Sequence, residues 1–479
     1  MTLLALFVLS TNAQAMSYDE ALRLAEQNNP DLQLAAAQRD AAKGGLLAAQ
    51  ASWDPQLNAG LNRPVSTDKN FSNGFTYKLS SSTVAWNVGL SQMTPTGTSW
   101  DLALSGAETS IDDLEIFGST VEGFNNLRMS SNLSVSQQLL KGWRMSYNMR
   151  SVISAESNLS QAEATLLQQR QTTLANVATL YWDLYAAGAT LTVAEEAVRV
   201  ATEEQRIVQA LLDVGKVAPV ERTRVDAALA QAEINLIDAE SAYELASDQL
   251  ALTLGLPLGM PISTDTEPSD APDGVRVPVD EAIEAAMAAN PGLHVARITA
   301  ENAERSYQNA RHGLLPSLSV NASYGLQSFK DSSQGDEVTY SASFKDLAAR
   351  ELPSQSVGVN LSMPLANRAA RGDVMSQAAA LTQANINLET AERNIAQQVT
   401  MNIRTVESAA RKVDLAALNL QLAEETLAAE KAKQDAGRAI EKDVLLAIST
   451  RDEAAVNLAR TKADYQKAVV ALEALQGKL

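Results

Sequence analysis

Asp19-Glu20-Ala21-Leu22, then Asn29-Pro30, then Pro55-Gln56-Leu57: this series returns as Asp280-Glu281-Ala282-Ile283, Asn290-Pro291 and Pro316-Ser317-Leu318, at a constant spacing of 261 residues. Farther along, Gly215, Tyr243, Leu250 and Gly255 return as Gly437, Tyr465, Leu472 and Gly477, at a spacing of 222. A fixed period marks a duplicated structural unit. Residues 16–262 form the first copy and 278–479 the second, joined by a turn-rich linker, 263–277, that holds Pro268, Pro272 and Gly274. The spacing shrinks by 39, so the first copy carries 39 extra residues between Pro55 and its long helix, the size of a β-hairpin with its loop.

Each copy reads as helix, strands, long helix, tight turn, long helix. Positions 177, 180, 184, 187, 191, 194, 198, 201, 205, 208 and 212 step by three and four and are apolar except Gln205, which is a coiled-coil seam over several heptads. Val225, Leu229, Ala232, Leu236, Ala239, Tyr243, Ala246 and Leu250 give the returning helix its matching face. Between them, Val214-Gly215-Lys216 ends one helix and Pro219 opens the next. A helix from about Arg144 to Leu212 would be roughly 100 Å long, more than a compact domain needs.

The segments before the long helices alternate instead with period two. Val84, Trp86, Val88 and Leu90 oppose Ala85, Asn87, Gly89 and Ser91, and Trp100, Leu102 and Leu104 oppose Ser99, Asp101, Ala103 and Ser105. The pattern recurs at 57–61, 127–139, 318–326 and 357–363, which predicts six strands, four from the first copy and two from the second. A solvated sheet of a soluble protein also alternates, but its wet face is usually charged. Here that face is Ser, Asn, Gly and Gln, and Trp53, Trp86, Trp100 and Trp143 sit at or near segment ends, as membrane-interface aromatics do. The turn Thr94-Pro95-Thr96-Gly97 is short, whereas the links 64–81, 107–125 and 329–353 are long and polar, matching short periplasmic turns and long external loops. Six strands leave two open edges, and an unpaired backbone group in lipid costs several kcal/mol, so the chain has to close its barrel with copies of itself.

Composition narrows the remaining classes. A formal net charge of −19 argues against nucleic acid as a partner. The absence of cysteine removes disulfides, thiolate metal sites, cysteine nucleophiles and an acylated lipoprotein cysteine. Residues 1–15 resemble a signal peptide lacking its basic start, with an apolar run from Leu3 to Leu9 and Ala13-Gln14-Ala15 as a cleavage pattern. After it, no stretch approaches the ~18 to 20 apolar residues of a membrane-spanning helix. His294 and His312 read as isolated surface histidines, Tyr181-Trp182 as helix packing, and the acidic stretches Asp112-Asp113-Leu114-Glu115 and Asp336-Glu337 as solvated loop charge. No phosphate-cradling glycine loop, HExxH or nucleophile elbow is present, so no catalytic, cofactor or metal site is expected.

With its duplicated Asp-Glu-Ala-Leu and Asn-Pro start, Pro55 and Pro316 before the strands, the junctions Gln138-Leu139-Leu140-Lys141-Gly142-Trp143 and Met363-Pro364-Leu365-Ala366-Asn367-Arg368, and two glycine-centred helix turns, the mature chain resembles the TolC-like outer membrane efflux protein family along its whole length. The resemblance implies a mainly α fold with a β-barrel: a homotrimer whose α-barrel tunnel continues a shared transmembrane barrel in the outer membrane of a Gram-negative bacterium. It implies a passive exit duct of a tripartite efflux pump or type I secretion system, docked to a periplasmic adaptor and an inner-membrane pump or ABC transporter. Carried over to this sequence, the periplasmic gate would involve Glu221 and Asp443, each six residues past its glycine, with Arg438 one residue from the family's basic position. Leu446 stands where the family has a second acidic residue. Adaptor docking would fall on Val214, Gly215, Lys216 and Val217 and on Ala436, Gly437, Arg438 and Ala439. The family has two strands per copy, so the extra 39 residues depart from it and would give either eighteen barrel strands or a decorated twelve. The competing readings are a soluble periplasmic coiled-coil adaptor or scaffold, which needs neither lipid-type strands nor the duplication, and an enzyme on a helical frame, which needs a convergent polar cluster.

Overall fold

The computed structural model describes residues 14–72, 75–112, 114–116, 119–270, 276–436 and 441–479. The chain divides into two units, and each draws on both sequence copies: one holds Met1–Asp40, Gln161–Ile298 and Ile386–Leu479, the other Ala41–Ser160 and Thr299–Asn385.

The helices follow the duplicated plan. The first copy has α1 (Tyr18–Asn28), α2 (Pro30–Gln50), α3 (Arg150–Asp213) and α4 (Pro219–Thr253). The second has α5 (Val279–Ala289), α6 (Pro291–His312), α8 (Arg368–Asp435) and α9 (Glu441–Leu475), with an additional short helix, α7 (Tyr340–Ala349), between its strands. Residues 144–149, expected to open the long helix, form a separate turn around Met145–Asn148 before α3 starts. The break between α1 and α2, and between α5 and α6, falls at Asn-Pro in both copies, because the residue before proline is pushed to extended backbone.

In the helical unit the seam is buried as its period requires. Val177, Tyr181, Trp182 and Leu184 of α3 pack with Ala21 and Ala25 of α1 and Leu250, Ala251 and Leu254 of α4. A second cluster repeats it: Val399, Ile403 and Val406 of α8 with Ala282 and Ala286 of α5 and Tyr465, Ala468 and Leu472 of α9. Ala21, Ala25, Val177, Tyr181, Leu184 and Leu250 correspond to Ala282, Ala286, Val399, Ile403, Val406 and Leu472 at displacements of 261 or 222 residues, so the duplication in sequence is a duplication of packing. Tyr181 and Trp182 are therefore core side chains. Residues Gln14–Met16 pair in parallel with Ile262–Thr264, and Met16 is fully buried beneath them.

The other unit is an antiparallel sheet. Its strands are β1 (Gln56–Asn62), β2 (Val65–Ser72), β3 (Phe75–Met93), β4 (Thr98–Ile111), β5 (Phe124–Gln138), β6 (Ser317–Asp331) and β7 (Leu352–Ser362). Their order across the sheet is β7-β6-β5-β4-β3-β1, with β2 continuing β1 along the same neighbour. All six predicted strands are present, each in a longer form. The link 64–81 is not a loop: β2 and the first part of β3 extend the hairpin in one register from Gln56 opposite Ser91 to Ser72 opposite Phe75. Only Pro64, which lacks an N–H, interrupts β1 and β2, and its carbonyl still accepts from Thr83 at 2.9 Å.

Candidate functional site

The sheet separates its two faces as the alternation predicts. One register row runs Leu57, Leu90, Leu102, Leu133 and Tyr324 and ends on Gln355, and the next runs Ala59, Val88, Leu104, Ser131, Leu326 and Pro353. The opposite face carries Gln56, Ser91, Asp101, Ser134, Ser323 and Ser356 in a row that crosses all six strands, followed by Asn58, Gly89, Ala103, Asn132, Gly325 and Ser354. The polar face is the concave one, with a hollow of ≈ 410 Å³ lined by Ser91, Asp101, Ser134, Asn321 and Ser356 among others. Hydroxyl pairs bridge strands on that face, Ser105 with Ser130 and Ser323 with Ser356, each at 2.8 Å. An apolar convex face and a hydroxyl- and amide-lined concave face are what lipid outside and water inside require of a barrel wall.

Three of the four tryptophans expected at the membrane interface gather where the strands meet the helices. Trp53 immediately precedes β1 and its carbonyl accepts from Gln92 at 2.9 Å, Trp100 lies near the start of β4, and Trp143 follows β5 with 60% of its surface exposed. Trp86 differs. It lies in the middle of β3, packed against Leu127, Met129 and Leu347, with Tyr340 at 6.4 Å between ring centroids. Gly106 opposite makes room for it, since a Cβ there would lie 2.6 Å from the indole. Sequence reading also missed what covers this patch. The polar link 329–353 folds into α7, whose Leu347 seals Leu127 and Met129 while Asp346 receives Lys330 and Ser328, both at 2.9 Å. A short run with Tyr340, Ser343 and Leu347 at spacings of three and four was the available signal.

At the far end of the helical hairpins, Gly215 takes a left-handed conformation (φ +71°) and closes α3 with bonds from Gly215 to Leu212 at 2.8 Å and from Lys216 to Leu211 at 2.9 Å. Val214 and Lys216 are exposed around it and Val217 is half-buried. Glu221 is engaged within its own chain: Arg224 bridges it to Glu204, at 2.9 Å to each carboxylate. In the second hairpin Ala436, Asp443 and Leu446 are exposed, and Gly437, Arg438 and Ala439 lie outside the described residues. The two hairpins meet through Lys467 of α9, which contacts Asp183 of α3 and Asp464 at 2.7 Å each. Asp452 of α9 is buried facing Glu196 and Arg199 of α3, and burial raises its carboxyl above the ordinary range despite Arg451 at 2.8 Å.

Among the described residues no group of three or more His, Asp or Glu side chains is placed to hold a metal ion. His294 is exposed, whereas His312 is half-buried against Tyr147 at 5.1 Å, and burial and Arg144 hold it below the usual imidazole range.

Duplicated helical hairpins joined to an amphipathic, open-edged antiparallel sheet define the class of outer-membrane exit ducts. Comparison with known proteins makes the assignment specific. The model of the family described as outer membrane efflux protein matches residues 118–256 and 282–478, and the chain belongs to that family. It is 22% identical over 471 residues to outer membrane protein TolC of Escherichia coli K12, covering 96% of this chain and 82% of TolC. Its fold is shared with the Campylobacter jejuni CmeC outer membrane channel, at a TM-score of 0.65 and 17% identity over 96% of this chain and 86% of CmeC. It is likewise shared with the Vibrio cholerae outer membrane protein VceC, at 0.64 and 16% over 96% of both chains. The protein is an outer-membrane efflux channel and not a soluble adaptor, and its family and fold are those of channels rather than enzymes.

Proposed function

We propose that three copies of this chain close the sheet into one transmembrane barrel and the hairpins into one tunnel, forming the passive exit duct of a tripartite efflux pump or type I secretion system. The observation that carries the reading is the open sheet with one lipid-type and one water-type face, which in a bilayer is stable only when both edges are paired. Apolar side chains left exposed on the helices support it: Ile234, Ile237, Leu245 and Leu252 on α4 and Leu415, Leu418 and Leu422 on α8 recur at seam spacings and suit neighbouring protomers. Residues 1–15 would direct export, leaving 16–262 and 278–479 as the two repeats about the linker 263–277.

In this assembly the periplasmic mouth is formed by the hairpin ends. A periplasmic adaptor docks on Val214, Gly215, Lys216 and Val217 and on Ala436, Gly437, Arg438 and Ala439, and an inner-membrane pump or ABC transporter supplies the energy. Asp443, Glu221 and Arg438 set the charge of the mouth, while Trp53, Trp100 and Trp143 lie at one membrane interface. The test is membrane fractionation with a gel run on heated and unheated samples. An outer-membrane species that migrates as a trimer until boiled is expected; a monodisperse monomer in plain buffer, absent from outer membranes, overturns the reading.

A further inference from the structure

The first copy holds two strands more than the second, and their placement sets the size of the pore. In the second copy β6 pairs directly with β7, Ser319 opposite Asn360. The same positions in the first copy are Asn58 of β1 and Gln138 of β5, so the duplicated plan alone would put those two strands side by side. They are not neighbours. The hairpin β3–β4 lies between them, bonded to β1 from Gln56 opposite Ser91 through Asn62 opposite Ala85, and to β5 from Thr98 opposite Gln137 through Ile111 opposite Phe124. This hairpin matches the 39 extra residues, and the family model takes up only at residue 118, beyond it.

Its turn is fastened as firmly as its sides. Gly97 (φ +78°) packs against Gly142, with no room for a Cβ, which would lie 2.2 Å from the Gly142 carbonyl oxygen. Asn148 donates to the carbonyls of Pro95 at 3.0 Å and Gly142 at 2.7 Å, and the Gln138 amide donates to Gly97 at 3.1 Å. The hairpin also continues both faces of its neighbours without a slip: Leu90 and Leu102 stand in the apolar row, and Gly89 and Ala103 in the polar one. A decorating hairpin would keep neither the shared register nor the shared faces.

We infer that β3–β4 is wall, and that the closed barrel has eighteen strands, six from each of three copies. This rests on the trimeric channel reading above. Neighbouring strands are antiparallel throughout, so β1 and β7 run in opposite directions and β7 of one protomer meets β1 of the next in the same antiparallel sense. Those two strands are bonded on one side only and are exposed along their whole length, with Leu57, Leu61, Val357 and Leu361 each at least 69% open, so the bare edges fit a second copy of this chain. Barrel diameter grows roughly in proportion to strand number, which makes this pore about half again as wide as a twelve-stranded one. The inserted strands line it with Asn87, Gly89, Ser91, Asp101, Ala103 and Ser105, so the outer-membrane ring is a broad, nearly uncharged passage rather than the selective constriction.

The chain has no cysteine, which allows a clean disulfide test in intact outer membranes. Paired substitutions N58C/G89C and A103C/N132C place cysteines on directly opposed positions, and both are expected to oxidise nearly completely, while N58C/Q138C, with two strands between them, stays reduced. Oxidation of N58C/Q138C with the other two pairs reduced would mean the hairpin has left the wall, and overturns the inference. Electron microscopy of the trimer in lipid nanodiscs counts the strands independently: eighteen supports it, twelve sinks it. If the unmodified protein yields no heat-resistant outer-membrane trimer, the channel reading fails first and this inference with it.

Discussion

The side-chain amide of Asn29 donates to the carbonyl of Thr253 at 2.8 Å, and 222 residues later Leu475 receives the same bond from Asn290 at 3.4 Å. Each asparagine also caps the helix that follows, Asn29 accepting from Asp31 and Leu32 and Asn290 from Leu293. One side chain thus starts a helix and ties it to the end of the long return helix. The neighbouring glycines complete the joint: a Cβ on Gly255 would sit 2.7 Å from the carbonyl oxygen of Asn28, and one on Gly477 would sit 3.0 Å from that of Ala289. Asn29→Ala and Asn290→Ala should each cost about 1 kcal/mol from the cap alone. The observable is the temperature at which unheated trimers dissociate on a gel, lowered by either change and lowered further by both.

Gly255→Ala should be worse than either asparagine change, because it adds strain at φ +70° to the collision with Asn28. A dissociation temperature equal to that of the unaltered protein would show that this joint has room the geometry denies.

Tyr181 makes a comparable joint in the first copy only. Its hydroxyl donates to the Met16 carbonyl at 2.9 Å and accepts from the Thr266 amide at 3.2 Å, fastening the chain start and the linker to α3. At its counterpart in the second copy stands Ile403. Tyr181→Phe keeps the packing but leaves the Thr266 amide without this partner, while the Met16 carbonyl still accepts from the Asp265 amide at 3.2 Å, so a loss of roughly 1–3 kcal/mol is expected. Proteolysis should register it as faster cleavage near residues 264–270, with the second copy unaffected.

Much of this was legible in the sequence, and the limits have identifiable causes. The seam from Val177 to Leu212 and the six alternating strands were readable because burial imposes a period, and a period survives without any knowledge of partners. The link 329–353 concealed α7 because ten residues with three inward positions give too weak a period against a polar background. Trp86 was read by its place in a segment, while its surroundings depend on Gly106, a strand away, and on that unseen helix. For Asn29 and Asn290 the repeat gave the position but not the purpose, since their partners lie 224 and 185 residues away. The candidate gate residues were readable only through the family resemblance: nothing local in Glu221 announces that Arg224, shared with Glu204, already pairs with it.

Acidity should act through Asp452. Burial raises its folded-state carboxyl above the unfolded value, so in the window between those two values the folded chain binds more protons than the unfolded one, and stability falls as pH rises through it. Above the raised value the full cost of burying the charge is present. Asp452→Asn removes that cost, and should therefore raise the melting temperature at pH 7 to 8, with the advantage shrinking as the pH is lowered into the ordinary carboxylate range. A benefit that does not change with pH would show that Arg451 and Arg199 already compensate the buried charge.

The charge that the first hairpin offers to the proposed periplasmic mouth is set by three side chains. Arg224 lies 2.9 Å from Glu221 and 2.9 Å from Glu204, so one guanidinium serves two carboxylates and each protomer keeps a net negative charge there. Three symmetry-related copies of such a charge around a narrow opening attract cations and repel anions. In planar bilayers under a salt gradient, Glu221→Gln should therefore lower the cation-to-anion permeability ratio and Arg224→Gln should raise it. The order follows from the charges alone, so it holds whatever cargo the duct carries. A reversal potential that moves with neither change would put these side chains away from the constriction and assign the charge of the mouth to the second hairpin instead.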